Sequence, residues 1–387
     1  MRNVGRLARD GWLMVGITLL AFLVLEAGYR AQGAIRSSSS SEPVVDSSLH
    51  PYVKTSWWGD VNRTRRKSLG AYRYDPYRAH WPLPIQSRYL NIDSAGLRVT
   101  IQPPGPYRRT LYMFGGSTMW GYTVRDSFTI PSLTAAALVE RGIRDVGVVN
   151  LGQSAFNTTQ ELNTLLLQLA HGGRPAAAVF LDGFNDIATA TQYGEPGHSY
   201  VEQSMAQQLA LGRRSFSDEL LGLGRHSALI QRLREAVVKE PSRKARRPSD
   251  YCGPVAENYR NTARMATAIG RGFGFSVAYF LQPVDGASGK VKSPWEKTIP
   301  TMSAMKPCLT SIDSAMAGSD VSFHSLLGLF DGDSATGFLD QYSHLTEEAS
   351  RKVAETIADV IIPLLRAADS TDQACRQRCS NRSRRTP

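Results

Sequence analysis

From Arg109 onward the chain alternates short apolar runs with amphipathic stretches, and this alternation restricts the available folds more than any other feature. Thr110 to Phe114, Val146 to Leu151, Ala177 to Leu181 and Ser276 to Leu281 read as strands. Ile130 to Glu140, with Pro131 in its first turn, reads as a helix. So do Thr159 to His171, with Leu162, Leu165, Leu166 and Leu169 on one face, and Glu348 to Leu365 after Thr346. Apolar strands that take turns with helices are covered on both faces, so the expected fold is α/β, with a mainly parallel sheet between two helical layers. No fixed-period repeat accompanies it.

In an open parallel sheet, ligands bind beyond the carboxyl ends of the strands. Three of those ends carry small or polar residues: Gly115-Gly116-Ser117-Thr118, Asn150-Leu151-Gly152-Gln153-Ser154 and Asp182-Gly183-Phe184-Asn185-Asp186. A serine hydroxyl attacks a carbonyl only when a base takes its proton and fixed donors meet the oxyanion. Ser117 is the candidate nucleophile; the N–H groups of Ser117 and Gly152 and the side-chain amide of Asn185 are candidate donors. The chain has 7 histidines from which to draw a base. His50 lies by a tether, His171 at a helix end, and His198 and His226 in an interrupting segment. His344 stands in FLDQYSHLTEEAS, just before a Thr346-capped helix with Glu347 and Glu348 in its first turn. A loop there is expected to return to the strand ends, which makes His344 the candidate base.

Taken in order, GGST, NLGQS, DGFND and DQYSHLT resemble the sequence blocks of the SGNH, or GDSL-type, serine hydrolases, over roughly residues 107–366. The resemblance implies a flavodoxin-like three-layer α/β/α sandwich and hydrolysis of lipid or carbohydrate esters through a serine acyl-enzyme, with acyl transfer in some members. It implies no cofactor and no metal. Carried over by motif, Ser117 is the nucleophile, His344 the base and Asp340 its orienting acid. Ser117, Gly152 and Asn185 form the oxyanion hole, and Asp186 has a structural role. Two departures stand out. Gly116 occupies the position of the acid in G-D-S, and the terminal D-x-x-H block gains a residue between Asp340 and His344. That extra residue leaves Asp331, Asp333 or a backbone carbonyl as alternative partners for the imidazole. The G-x-S-x-G elbow of α/β-hydrolases fails at Met119 and again at Phe156. No H-x-x-x-H metal motif occurs. The expected activity is removal of O-acyl (acetyl) groups from a carbohydrate or lipid. O-acyl transfer to an envelope polysaccharide is the enzymatic alternative, and a catalytically inactive, membrane-tethered glycan-binding or assembly protein the non-enzymatic one.

The appendages suggest where this happens. Residues 1–30 read as a cytoplasmic stub and signal anchor: Gly11 to Leu25 is uncharged and apolar, and arginines precede it. Residues 31–48 form a Ser-rich linker, 49–106 an aromatic-rich collar, 189–250 a helical insertion or lid, and 367–387 a disordered basic tail. The reading places the bulk of the chain outside the cytoplasm, on the periplasmic side of an inner membrane or at the cell exterior. The net charge of +11 sits largely in these peripheral segments, so a nucleic-acid partner is not expected. Cys252 and Cys308 are candidates for a disulfide, and Cys375 and Cys379 lie in the tail. Sequons occur at Asn62, Asn157 and Asn381.

Overall fold

The computed structural model describes residues 2–39, 47–202 and 247–383. The first helix, α1 (Arg2–Ser39), belongs to a different compact unit from the sheet. Its window Gly11–Gly28 has a mean hydropathy of 1.9 with none of its surface buried, long and apolar enough to cross a membrane, as a signal sequence also is. The helix runs on into the stretch expected to be a linker, as far as Ser39. Most of the expected lid, residues 203–246 with His226, lies outside the described residues.

The second unit holds the sheet. Its early elements are α2 (Trp58–Ser68) and an antiparallel hairpin of β1 (Tyr72–Asp75) and β2 (Ala79–Pro82). Then come β3 (Arg109–Gly115), the short α3 (Ser117–Trp120), α4 (Ile130–Glu140), β4 (Val146–Asn150) and α5 (Thr158–Ala170). These are followed by β5 (Ala177–Asp182), α6 (Phe184–Tyr193), α7 (Pro248–Phe273) and β6 (Ser276–Leu281). The chain closes with α8 (Lys306–Met316), β7 (Ser322–Ser325) and α9 (Glu347–Ser383).

Strands β3 to β7 pair in the order β4-β3-β5-β6-β7, all parallel. In order of appearance this is 2-1-3-4-5, the doubly wound flavodoxin-like order. Alternate residues of each strand feed two cores. Leu111, Met113, Val179 and Phe280 pack with Leu133 and Leu138 of α4 and Val353, Ile357 and Ile361 of α9. Tyr112, Phe114, Phe180 and Tyr279 pack on the other face with Leu162 and Leu165 of α5, Ile187 of α6, Tyr259 of α7 and Leu309 of α8. The register puts Phe114, Phe180 and Tyr279 side by side on three neighbouring strands, with ring centroids 4.6 and 4.4 Å apart. Such stacks add about 0.5–1.5 kcal/mol per pair beyond burial.

The collar holds a helix that pattern reading did not find: α2 buries Val61, Thr64 and Ser68, a stripe with two polar members. Two expectations change. The insertion is shorter than 189–250, since α6 runs to Tyr193 and α7 starts at Pro248. The tail expected to be disordered continues α9 through Ser383, in keeping with its Ala, Gln and Arg content. Cys252 of α7 and Cys308 of α8 are joined by a disulfide.

The collar is fastened to the sheet by a buried ion pair. Arg98 is 1% exposed, and its Nε donates to Asp126 Oδ1 at 2.6 Å. Its Nη1 and Nη2 donate to the carbonyls of Gly121 and Val124 at 3.0 and 2.9 Å. Asp126 also accepts from the backbone and side chain of Asn91. The turn that leaves α3 is thus held from above by the collar. Removing one member of such a pair leaves an uncompensated buried charge, at a cost of about 3–5 kcal/mol. Arg98→Met should therefore lower unfolding stability by about that amount in denaturant titration.

Behind the site, Glu161 on α5, Asp182 at the end of β5 and Asp186 on α6 form a buried acid cluster. Burial, and then Asp182 and Asp186, push the Glu161 carboxyl well above the ordinary range; burial, with the charge of Asp186 and against a hydrogen bond from Glu161, does the same to Asp182, and burial likewise raises Asp186. Asp186 Oδ1 accepts from the N–H and Oγ1 of Thr158, tying α6 to the start of α5, which is a structural use of that acid. Acids that stay protonated when folded but ionise when unfolded lose stability as pH climbs from about 4, the unfolded carboxylate pKa, through their raised folded values. Thermal melts of the wild type should fall across that range, and Glu161→Gln should flatten the fall.

Candidate active site

Strand β3 ends at the point where the chain's winding reverses between β3 and β5, and Ser117 follows it directly. The glycines before it are required by contact. A Cβ on Gly115 would lie 2.6 Å from Met119 Cβ and 2.8 Å from the Leu181 carbonyl. On Gly116 it would lie 2.2 Å from Asn185 Nδ2. The acid that the resembled family carries at that position has no room here unless Asn185 moves.

Ser117 Oγ lies 2.7 Å from His344 Nε2, and His344 Nδ1 lies 2.7 Å from Asp340 Oδ2. The other Asp340 oxygen accepts from the N–H groups of Tyr342 and His344 at 3.0 and 3.3 Å. Burial works to raise the Asp340 pKa. The charge and hydrogen bond of His344, with the two backbone N–H groups, outweigh that and hold the carboxyl below its ordinary range.

The extra residue in this block is absorbed locally. A bridge between Phe338 and Leu345 closes the loop, and the Leu339 N–H donates to the His344 carbonyl at 2.8 Å. Ser343 takes a left-handed backbone with φ of 61°, and its N–H donates to the Asp340 carbonyl. Its buried hydroxyl accepts from the Asp285 N–H at 3.0 Å. One left-handed residue, pinned by its side chain, thus folds His344 back over Asp340. The alternative partners are engaged elsewhere: Asp331 accepts from the Gly289 N–H, and Asp333 pairs with Lys352.

The three candidate donors differ. The Ser117 N–H, in the first turn of α3, has no acceptor among the described residues. Asn185 spends one amide hydrogen on the Phe156 carbonyl at 2.7 Å and keeps the other. The Gly152 N–H is committed to Asn150 Oδ1 at 3.0 Å. What glycine provides at 152 is clearance: a Cβ there would sit 2.8 Å from the Trp120 nitrogen, so the loop after β4 can lie against α3.

Ser117, Asn185, Asp340 and His344 open into one cavity of about 290 Å³. Sequence reasoning placed Ser154 at a strand end but missed three further residues of its wall: Arg65, Tyr122 and Tyr342. The Tyr122 ring lies 4.4 Å from the imidazole of His344, and Tyr342 is 50% exposed at the cavity. Tyr122 follows Ser117 by five positions, the one local hint in the sequence. Arg65 was hidden in the basic run RTRRK, which reads as solvated charge. Among the described residues, no group of three His, Cys, Asp or Glu side chains is arranged to hold a metal ion.

No protein-family model and no curated protein matches the sequence. Among solved structures, 53 chains match. The chain is similar to TesA at 14% identity, covering 66% of this chain and 99% of that one with a TM-score of 0.39. It is similar to an acetyl xylan esterase at 11% identity, covering 65% and 99%, TM-score 0.38. A lipase/acylhydrolase from Enterococcus faecalis matches at 13% identity, covering 65% and 95%, TM-score 0.37.

The crowding at Gly116 yields a direct test. Gly116→Ala should force the Asn185 amide off the Phe156 carbonyl and cost about 1 kcal/mol of stability, the net worth of one such bond. Denaturant unfolding of the variant beside wild type measures it.

Proposed function

We propose that this chain is a serine-dependent ester hydrolase of the SGNH type that removes O-acyl groups, acetyl in the first instance, from a carbohydrate or lipid. The observation that carries this reading is the continuous relay Ser117–His344–Asp340, with both links at 2.7 Å and the hydroxyl at a cavity. His344 takes the Ser117 proton as Oγ bonds to the acyl carbon. The carbonyl electrons move to its oxygen, which the Ser117 N–H and the spare Asn185 amide hydrogen are placed to meet. His344 then protonates the departing alcohol as the ester C–O bond breaks, leaving an acyl-serine. Water, deprotonated by the same imidazole, attacks that ester; the acid leaves and Ser117 regains its proton. Asp340 holds the imidazole in the tautomer that accepts at Nε2 and stabilises the cation formed.

Two features support a sugar-bearing substrate at an envelope location. Tyr200 and Tyr342, both at the cavity, are 57% and 50% exposed, and exposed aromatic faces stack on sugar rings. The apolar window of α1 with arginines before it supports an anchor that leaves the catalytic unit extracytoplasmic, and the Cys252–Cys308 disulfide fits an oxidising compartment. The sequon at Asn157 is no counter-indication, because that side chain is fully buried as the cap of α5.

A fluorophosphonate probe should label the wild-type protein and leave Ser117→Ala unlabelled, as read by intact mass. Asp340→Asn should lower kcat by about 10⁴-fold with the fold unchanged. Acetate release from acetylated glycans, measured beside transfer to an added sugar acceptor, separates hydrolysis from acyl transfer. Equal probe reactivity in wild type and Ser117→Ala would overturn the reading.

A further inference from the structure

Arg65 differs from four other arginines packed around the catalytic unit. Arg78, Arg98, Arg109 and Arg125 each pair with a carboxylate, respectively Asp75, Asp126, Asp145 and Glu347. Arg65 lines the cavity with Ser117 and His344, yet it has no acidic partner among the described residues. Asp340, the acid in the same wall, is taken up by His344.

The Arg65 guanidinium is held in place. Its Nη2 donates to Asn62 Oδ1 at 2.6 Å, one turn back on α2. Its central carbon lies 4.5 Å from the Tyr122 ring centroid and 5.8 Å from that of Trp58. Tyr122 in turn lies against His344. Nε is buried with no acceptor, and Nη1 has none among the described residues. His50, close by, brings no compensating charge: burial, and then the charge of Arg65, push its pKa down to about 4, so it stands neutral at physiological pH.

Arg65 stands across the Tyr122 ring from His344, and a fixed cation on this wall works against chemistry on a neutral substrate, because the imidazole becomes positive in the transition state. The arrangement is productive when the substrate supplies the missing negative charge. We propose that Arg65 is a specificity-determining residue that binds an oxyanion of the substrate, a carboxylate or a phosphate, adjacent to the ester under attack. This rests on the esterase reading above and names its substrate class: acylated molecules that are themselves acidic. Guanidinium groups bind both oxyanions by charge-assisted hydrogen bonds, and stacking on aromatic faces keeps the guanidinium plane oriented for them.

Matched ester pairs test the proposal and separate the two sources of charge. One pair is O-acetyl galacturonic acid against O-acetyl galactose; the other is 1-acetylglycerol 3-phosphate against 1-acetylglycerol. Wild type should prefer the charged member of at least one pair by about tenfold or more in kcat/KM, with the preference shrinking as salt is raised. Arg65→Gln should lose that preference, the KM of the charged member rising while turnover of the neutral member rises as the opposing charge is removed; Arg65→Lys should keep part of the preference. A preference for the uronic ester points to an acidic glycan, and one for the phosphate ester to a lipid-like or phosphorylated acceptor. Binding of galacturonic acid and glycerol 3-phosphate to Ser117→Ala, followed by calorimetry, gives a readout free of turnover, and the Arg65→Gln change should abolish it. Hydrolysis of the neutral esters with no charge preference, or equal losses on both members in Arg65→Gln, would overturn the proposal and leave the esterase reading intact. Failure to hydrolyse any ester or to react with the fluorophosphonate would overturn both.

Discussion

The buried pair of Arg98 and Asp126 is the constraint on which the site's architecture depends. A guanidinium with almost no exposure is tolerable because its nitrogens find one carboxylate oxygen and two carbonyls. Those carbonyls belong to Gly121 and Val124, in the turn that leaves α3, so the segment after Ser117 cannot drift from the collar. The same closure recurs on the far side of the cavity. Tyr52 of the collar accepts from the Glu347 N–H at 2.6 Å, and Arg125 pairs with Glu347 at 2.7 Å. Glu347 opens α9, immediately after the loop that carries His344. The collar thereby joins two segments 227 residues apart in sequence, those bearing Ser117 and His344.

Within this frame, each link of the relay is fixed by a local device. Absent side chains at Gly115 and Gly116 let the serine turn sit under Leu181 and Asn185. A single left-handed residue, Ser343, returns the imidazole to Asp340 across one residue more than D-x-x-H has. The Ser117–His344–Asp340 hydrogen bonds are therefore set by the protein alone, which under the proposed esterase function leaves little reorganisation to the reaction. The buried acids behind the sheet ends are held differently: burial raises the Asp182 and Asp186 carboxyls, and Asp186 ties the helix that carries Asn185 to the start of α5.

Much of this was legible in the chain because the central strands are buried on both faces and write themselves as unbroken apolar runs. Ile130 to Glu140 and Ser276 to Leu281 have the bounds their patterns predict. The edge strand β7 did not announce itself: Ser-Phe-His-Ser is half-exposed and polar, and only pairing with β6 makes it a strand. Asp340 came only from the resemblance, with Asp331, Asp333 or a backbone carbonyl left open, whereas Ser117 and His344 were readable because each stands at or just before the start of a helix with a chemical reason to be there. Arg65 and Tyr122 were not, since their place in the cavity follows from collar packing, a tertiary effect with no period. Gly152 shows the converse. Its position was readable, but the use its backbone N–H makes of Asn150 is a matter of loop geometry.

The bond between Cys252 and Cys308 has a practical corollary. Both sulfurs sit inside the core, and Cys252 lies one turn into α7, where the described chain resumes after residue 246. Material made in a reducing cytosol would meet the folding problem without this clasp, which typically contributes about 2–4 kcal/mol. Secretion into an oxidising space is accordingly the production route that delivers the chain in the covalent form described here. Once closed, the bond lies out of reach of mild reductants until α7 and α8 part.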